Sequence, residues 1–112
     1  MRIFDHVGIP SDEKRPGEMY VAETKVWVTD PLRHAHKIEY LRFDPDSPVA
    51  GPVRDLPHIA FRVDDLDRET AGRQILLGPF NATDTLRVVF VRIDGAVFEF
   101  MESAAPGHWF RN

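Results

Sequence analysis

The chain contains no cysteine, so disulfides, thiolate metal ligands and cysteine nucleophiles are all excluded. It has no basic run, and 14 Lys and Arg against 18 Asp and Glu give a net charge of −4. The electrostatic footprint of a nucleic-acid-binding protein is therefore missing. No apolar stretch approaches the roughly 18 residues of a membrane-spanning helix, and the first residues lack the apolar segment of a secretory signal. We expect a cytoplasmic protein without nucleic-acid or membrane partners, in which any metal has nitrogen and oxygen ligands.

Three common catalytic patterns are also missing. There is no G-x-G-x-x-G, no G-K-[ST], and none of Ser11, Ser47 and Ser103 lies in a G-x-S-x-G elbow. Dinucleotide-binding, P-loop and serine-hydrolase functions are therefore not indicated. The 112 residues suffice for one domain with a modest core.

One short pattern is present twice in the same order. A histidine strand with His6 precedes a glutamate strand with Glu39, and His58 then precedes Glu99 in the same way. The two glutamate strands match position by position as apolar, Glu, aromatic, apolar. This duplication indicates that pseudo-symmetry brings together two imidazoles and two carboxylates, which are plausible ligands of a divalent metal.

The predicted elements follow the order β-loop-β-β-β and then β-α-β-β-β. The first module spans about 1–47, a linker about 44–57, the second module about 58–103 and a tail 104–112. We predict strands over 2–9, 19–21, 25–29, 37–43, 58–63, 75–77, 85–93 and 96–102, with the short run 75–77 ended by Gly78-Pro79.

Turn and cap residues refine this prediction. Asp64 or Asp65 is expected to cap a helix over Leu66 to Ala71, and Asp94-Gly95 predicts a hairpin turn. The proline-rich linker is expected to have no regular structure, and the first module has no evident helix.

Strand alternation predicts which side chains share a face. His58 shares one with Ala60 and Arg62, while the opposite face of that strand is apolar and suited to packing under the helix. The other expected groups are Glu99 with Val97 and Met101, Glu39 with Leu41 and Phe43, and His6 with Phe4 and Gly8. A carboxylate among apolar neighbours must be paired, hydrogen-bonded or bound to a cation.

The segment His58-Ile59-Ala60-Phe61-Arg62-Val63-Asp64-Asp65-Leu66-Asp67 resembles the H-I-A-F-x-V-D-D-L-D module opening of the vicinal oxygen chelate, or glyoxalase-like, superfamily. Asp5-His6-Val7-Gly8-Ile9 is similar to the opening of that family's first module. The resemblance implies an α+β fold of two βαβββ modules, forming a curved, partly open mixed sheet around a pocket. The first helix here would be shortened or missing. It also implies a homodimer, since members usually form dimers or paired modules.

The resemblance further implies a site. Lyase and epimerase members take one ligand from each of four strands, which carries over to His6, Glu39, His58 and Glu99 holding Zn, Ni, Co, Mn or Fe. The implied function is a metal-dependent lyase or isomerase, acting on a small oxygenated substrate by enediolate-type proton transfer with Glu99 or Glu39 as the base. The alternatives are a metal-free small-molecule binding or resistance protein, and an iron-dependent ring-cleaving dioxygenase using His6, His58 and Glu99.

Three further residues are candidates for contacting a substrate. Arg62, on the face of His58, is expected to pair with Glu99 or Glu39 or to hold a substrate carboxylate. Trp27 either lines the pocket or fills the core, and Met101 shares the face of Glu99.

Overall fold

The computed structural model describes residues 1–105 and 107–110. The strands are β1 Arg2–Pro10, β2 Met19–Val21, β3 Val26–Val28, β4 Ile38–Phe43, β5 His58–Val63, β6 Gln74–Asn81, β7 Leu86–Ile93 and β8 Ala96–Ser103. The helices are α1 Pro52–Asp55 and α2 Leu66–Thr70, with a short 3₁₀ turn at Pro31–Arg33.

The eight strands form one sheet in the order β2-β3-β4-β1-β5-β8-β7-β6. Each half repeats the other, because β1 is parallel to β4 and β5 is parallel to β8. The two halves meet where β1 runs antiparallel to β5. The expected α+β architecture with a curved, mixed sheet is confirmed, and the strands of the repeated pattern are its four central ones.

Helix α2 belongs to the second half and begins at the predicted cap. The side chain of Asp65 accepts a hydrogen bond from the backbone N–H of Arg68 at 3.1 Å. Leu66 then packs with Val63 and Phe100 on the convex side of the sheet. In the first half, residues 11–18 are all described and contain no helix, as expected.

Two local predictions are wrong. Strand β6 does not end at Gly78-Pro79 but continues through it to Asn81. This is possible because β6 lies at the edge of the sheet, where a proline can lack an N–H without removing a hydrogen bond between strands. The linker contains the four-residue helix α1, since Pro52 stands at its first turn, where a missing N–H has no consequence.

The main core lies on the concave side of the sheet. Val88, Phe90 and Met101 anchor it in the second half. In the first half, Phe110 from the tail joins an aliphatic cluster made of Val21, Val26, Val28 and Leu41. Among the described residues, no helix has the length and apolar character needed to cross a membrane.

Candidate metal centre

The four side chains of the repeated pattern converge on one point inside the curved sheet. They come from the adjacent strands β4, β1, β5 and β8, and all four point inward. All are buried, with exposed fractions of 0% for His6, 4% for Glu39, 2% for His58 and 7% for Glu99. The pseudo-symmetry predicted from the sequence thus brings the two imidazoles and two carboxylates together.

The Nε2 atoms of His6 and His58 lie 3.4 Å apart. Glu39 Oε1 is 3.3 Å from the Nε2 of His6 and 3.8 Å from that of His58. Glu99 Oε1 is 3.4 Å and 3.1 Å from the same two atoms. Each carboxylate therefore contacts both imidazoles.

Four of these five separations match those between ligands of a first-row divalent ion, and the fifth, 3.8 Å between Glu39 Oε1 and His58 Nε2, is slightly longer. Ligand atoms about 2.0–2.2 Å from an ion are about 2.8–3.6 Å apart at right-angle to tetrahedral geometry. His6, Glu39 and His58 offer ligand atoms that all lie within 4.8 Å of one another, and Glu99 contacts both histidines of that group. The residues present fit a divalent cation in spacing, burial and donor type.

A bulge in β1 aims both Asp5 and His6 inward. The pairing with β5 shifts register between Phe4 and His6, so Asp5 and His6 are both buried while Phe4 is 43% exposed. Phe4 instead contacts Phe61 on the other side of the sheet. The expectation that Phe4 shares the face of His6 is therefore wrong, because simple alternation fails at the bulge.

Asp5 is a residue of the candidate site that sequence reasoning missed. Its Oδ2 lies 2.6 Å from His6 Nδ1, and accepts a hydrogen bond from Trp109 Nε1 at 2.9 Å. In metal sites, a carboxylate that bonds one ring nitrogen of a ligand histidine fixes the ring and leaves the other nitrogen free to bind the metal. Here these would be Nδ1 and Nε2 of His6. The available signal was the adjacent Asp5-His6 pair, although no periodicity places both residues inside.

Charged neighbours shift the pKa values of His6 and Glu99. Burial lowers the pKa of His6, but the charge of Glu39 and bonds to Asp5, Glu39 and Glu99 outweigh it and raise that pKa well above 6.5. Burial likewise raises the pKa of Glu99, and hydrogen bonds from His58 and His6 lower it to about 2. The Glu99 carboxylate is therefore charged, which favours a cation beside it.

His58 is held by packing. A Cβ on Gly8 would lie 2.0 Å from His58 Cε1 and 2.3 Å from its Nε2, so the ring occupies the space that only glycine leaves open. Phe90 meets the ring edge-on at 5.2 Å. The Nδ1 atom of His58 has no hydrogen-bond partner among the described residues.

The other predicted contact residues are placed differently. Arg62 pairs with neither glutamate; its Nε lies 3.2 Å from Asp5 Oδ1, and the residue is exposed enough to reach solvent. Trp27 neither lines the pocket nor fills the core. Its neighbours Val26 and Val28 face inward, so strand alternation turns Trp27 outward, where its ring contacts that of Tyr20. Its indole N–H donates to an aspartate, Asp44, at 3.2 Å.

An apolar cavity of about 50 Å³ adjoins the centre. Glu39 and Glu99 form part of its wall, together with Met101 as expected and with Trp109 from the tail. The ring of Trp109 is 5.8 Å from that of His6. The predicted tail includes residues 106, 111 and 112, which lie outside the described residues.

No sequence profile of a known protein family matches the chain, and no curated protein matches it. Solved structures do match. A hypothetical protein of Bacillus halodurans C-125 has a TM-score of 0.70 and 21% identity, over 96% of this chain and 98% of that one. Methylmalonyl-CoA epimerase of Mycobacterium tuberculosis has a TM-score of 0.61 and 20% identity, over 91% and 88%. The chain shares the fold of these proteins.

The same fold occurs within a larger protein. A mutant of 4-hydroxymandelate synthase from Streptomyces coelicolor has a TM-score of 0.51 and 17% identity, over 96% of this chain and 50% of that one. At such identities these likenesses establish architecture, and the chemistry of the chain must be argued from its own residues.

Proposed function

We propose that the chain is a member of the vicinal oxygen chelate superfamily and a metal-dependent isomerase or lyase of small oxygenated substrates. The observation that carries the proposal is the convergence of His6, Glu39, His58 and Glu99 within 3.1–3.8 Å across the five measured contacts. Two neutral imidazoles and two carboxylates balance one divalent ion. The same fold occurs in methylmalonyl-CoA epimerase, whose name describes a reaction of this class.

The four ligand residues would hold the ion with their inward nitrogen and oxygen atoms. When bound, a divalent ion supplies Lewis-acid stabilisation of negative charge that develops on substrate oxygens. Asp5 keeps the Nδ1 side of His6 occupied, so that the Nε2 atom faces the centre. The apolar wall beside the glutamates gives the reacting atoms surroundings of low polarity, in which electrostatic interactions are stronger than in water.

The proton transfer falls to a glutamate. Glu99 and Glu39 both line the cavity, so a carboxylate oxygen of either one can reach the α-carbon of a bound substrate. The carboxylate takes the α-proton while the electrons of the C–H bond move into the adjacent carbonyl, and the same group returns the proton. We assign Glu99 as the first candidate base and Glu39 as the second.

The test is exchange of the α-proton of hydroxy ketones with solvent deuterium, followed by NMR on the metal-loaded protein. Glu99→Gln should retain the fold and lower the exchange rate at least about 100-fold, because a general base contributes about 100- to 10,000-fold to the rate. Glu23→Gln, an exposed loop variant, should exchange at the wild-type rate. Full exchange by metal-free protein would contradict the proposal.

A metal-free binding protein is the second candidate, and the apolar walls of the cavity favour it. This candidate predicts ligand-induced stabilisation that survives a chelator and the Glu99→Gln substitution. The iron-dependent dioxygenase alternative uses three ligands and predicts that Glu39→Ala still binds iron.

A further inference from the structure

The last described residues of the tail, 107–110, lie on the concave side of the sheet beside the candidate metal centre, and we call them the strap. Trp109 packs against the clusters of both halves, and its ring is 5.8 Å from that of His6. Phe110, only 9% exposed, joins the cluster of the first half. The chain thus leaves β8 in the second half and returns to the first half across the concave side.

The strap is attached to the rest of the protein by side chains. Trp109 Nε1 donates to Asp5 Oδ2 at 2.9 Å, and His108 Nε2 lies 3.5 Å from Asp5 Oδ1. Among the described residues, no backbone hydrogen bond joins 107–110 to another element, whereas the ligand-bearing strands are paired in one sheet. Segments without such pairing open locally at a lower free energy than the strands of a core. The strap can therefore detach while the sheet remains intact.

The site has little room while the strap is in place. The four ligand residues are at most 7% exposed, and the cavity beside them measures about 50 Å³. In an engineered core, a cavity of roughly 150 Å³ binds benzene. The present cavity is therefore too small for a substrate of several carbon atoms. Trp109 forms part of its wall, so withdrawal of the strap would enlarge it.

We propose that the strap controls access to the candidate metal centre, and that it must detach before ions and ligands reach the four ligand residues. This access step is additional to the proposed function, because it concerns how the site is reached, whichever reaction occurs there. Asp5 connects the strap with the centre, because the same carboxylate bonds His6 and Trp109. Phe110 packs against aliphatic side chains, so its removal changes the strap without changing a ligand.

The variant Phe110→Ala tests the proposal through the kinetics of zinc binding. Burial of a phenylalanine side chain shifts an equilibrium by about 10- to 100-fold, so the detached state should be more populated by about that factor. Loading, followed with a chromophoric zinc indicator, and release to excess chelator should both become faster by that factor. The Kd should stay at the wild-type value, because it is the ratio of the two rates. A strap that only supports the centre would instead weaken affinity and speed release alone.

Leu66→Ala is the matched control. Leu66 is 1% exposed and packs with Val63 and Phe100 on the convex side, away from the strap. Its truncation lowers global stability by leaving a cavity, and both zinc rates should keep their wild-type values. Equal acceleration in the two variants would mean that ions enter through global unfolding, and it would overturn the proposal. Unchanged rates in Phe110→Ala, or faster release alone, would also overturn it.

A measurement on metal-free protein separates this proposal from the proposed function. Diethylpyrocarbonate acylates accessible imidazoles, and the tryptic peptide 55–62 contains His58 as its only histidine. Acylation of His58, relative to the exposed His36, should be at least about tenfold faster in Phe110→Ala than in the wild type and unchanged in Leu66→Ala. A wild type that binds no metal would contradict the proposed function, and acylation would then test the strap by itself. Equal acylation of His58 in the wild type and Phe110→Ala would overturn control by the strap.

Discussion

The substitution Gly8→Ala should disable the metal centre although residue 8 is not a ligand. An ordinary van der Waals contact for a Cβ atom begins at 3.4 Å, and the new Cβ would lie 2.0 Å from His58 Cε1. The ring must therefore retreat by about 1.4 Å, whereas metal–ligand distances tolerate only about 0.2 Å. Its Nε2 atom cannot both make that move and remain a ligand.

The expected loss follows from this displacement. We predict at least about a 100-fold loss of metal affinity, because a ligand is removed and its neighbours are disturbed. Overpacking beside a buried ring should also lower the free energy of unfolding by about 1–3 kcal/mol. Competition with a chromophoric chelator measures the affinity, and urea denaturation of metal-free protein measures the stability.

Two controls separate the steric effect from a general effect of the added methyl group. Gly51→Ala adds a Cβ with nothing within 4 Å, at a φ of +75° and a ψ of −150° that side chains rarely adopt. It should therefore lower stability by about 1–3 kcal/mol and keep metal affinity. In the His58→Ala background, Gly8→Ala should lose most of its effect on stability, because the clashing ring is gone. Wild-type metal affinity in Gly8→Ala would refute the reasoning.

Three further predictions concern the surroundings of His6. Asp5→Asn should weaken metal binding about 10- to 100-fold, because the charged carboxylate beside His6 Nδ1 is lost. The control Asp64→Asn changes an exposed residue and should keep the wild-type affinity. Equal affinities of the two variants in a chelator competition would contradict this prediction. Because the pKa of His6 is raised, its contribution to metal-free stability is complete below pH 6.5 and is lost as pH rises through the raised pKa. Metal must displace that proton, so affinity should rise about tenfold per pH unit until His6 is deprotonated, and calorimetry in buffers of different ionisation enthalpy should detect its release. Finally, binding of Ni²⁺ or Co²⁺ should change the fluorescence of Trp109, because its indole lies 5.8 Å from the His6 ring. The change should therefore persist in Trp27→Phe and disappear in Trp109→Phe. A change that disappears in Trp27→Phe instead would contradict this placement.

The central strands could be predicted because their residues obey local rules. Period-two alternation placed Glu39 with Leu41 and Phe43, and Glu99 with Val97 and Met101, on the concave side. The hairpin turn at Asp94-Gly95 could also be predicted, because this residue pair favours the positive φ angles of a two-residue turn, and both residues have them.

The residues that surround the candidate ligands could not be predicted from strand alternation. A bulge depends on the pairing between β1 and β5, so the burial of Asp5 and the outward turn of Phe4 have no signature in the periodicity of β1 alone. The pairing of Arg62 with Asp5 follows from that bulge. The approach of Trp109 to His6 is a contact between residues about a hundred positions apart, which no local pattern encodes.

The orientation of Trp27 was open from sequence because a large aromatic side chain suits both a core and a half-exposed face. Its position was decided by the small valines on either side, which fill the concave face, and by Asp44, which accepts the indole N–H.

The metal content of the purified protein tests the central claim most directly. After loading and dialysis against metal-free buffer, mass spectrometry should find about one divalent ion per wild-type chain and much less in His58→Ala. The double variant His34→Ala/His36→Ala, which alters two histidines outside the group of candidate ligands, should retain the wild-type ratio. A ratio far below one in the wild type after loading with Zn²⁺, Ni²⁺, Co²⁺, Mn²⁺ and Fe²⁺ in turn, or an undiminished ratio in His58→Ala, would contradict the account.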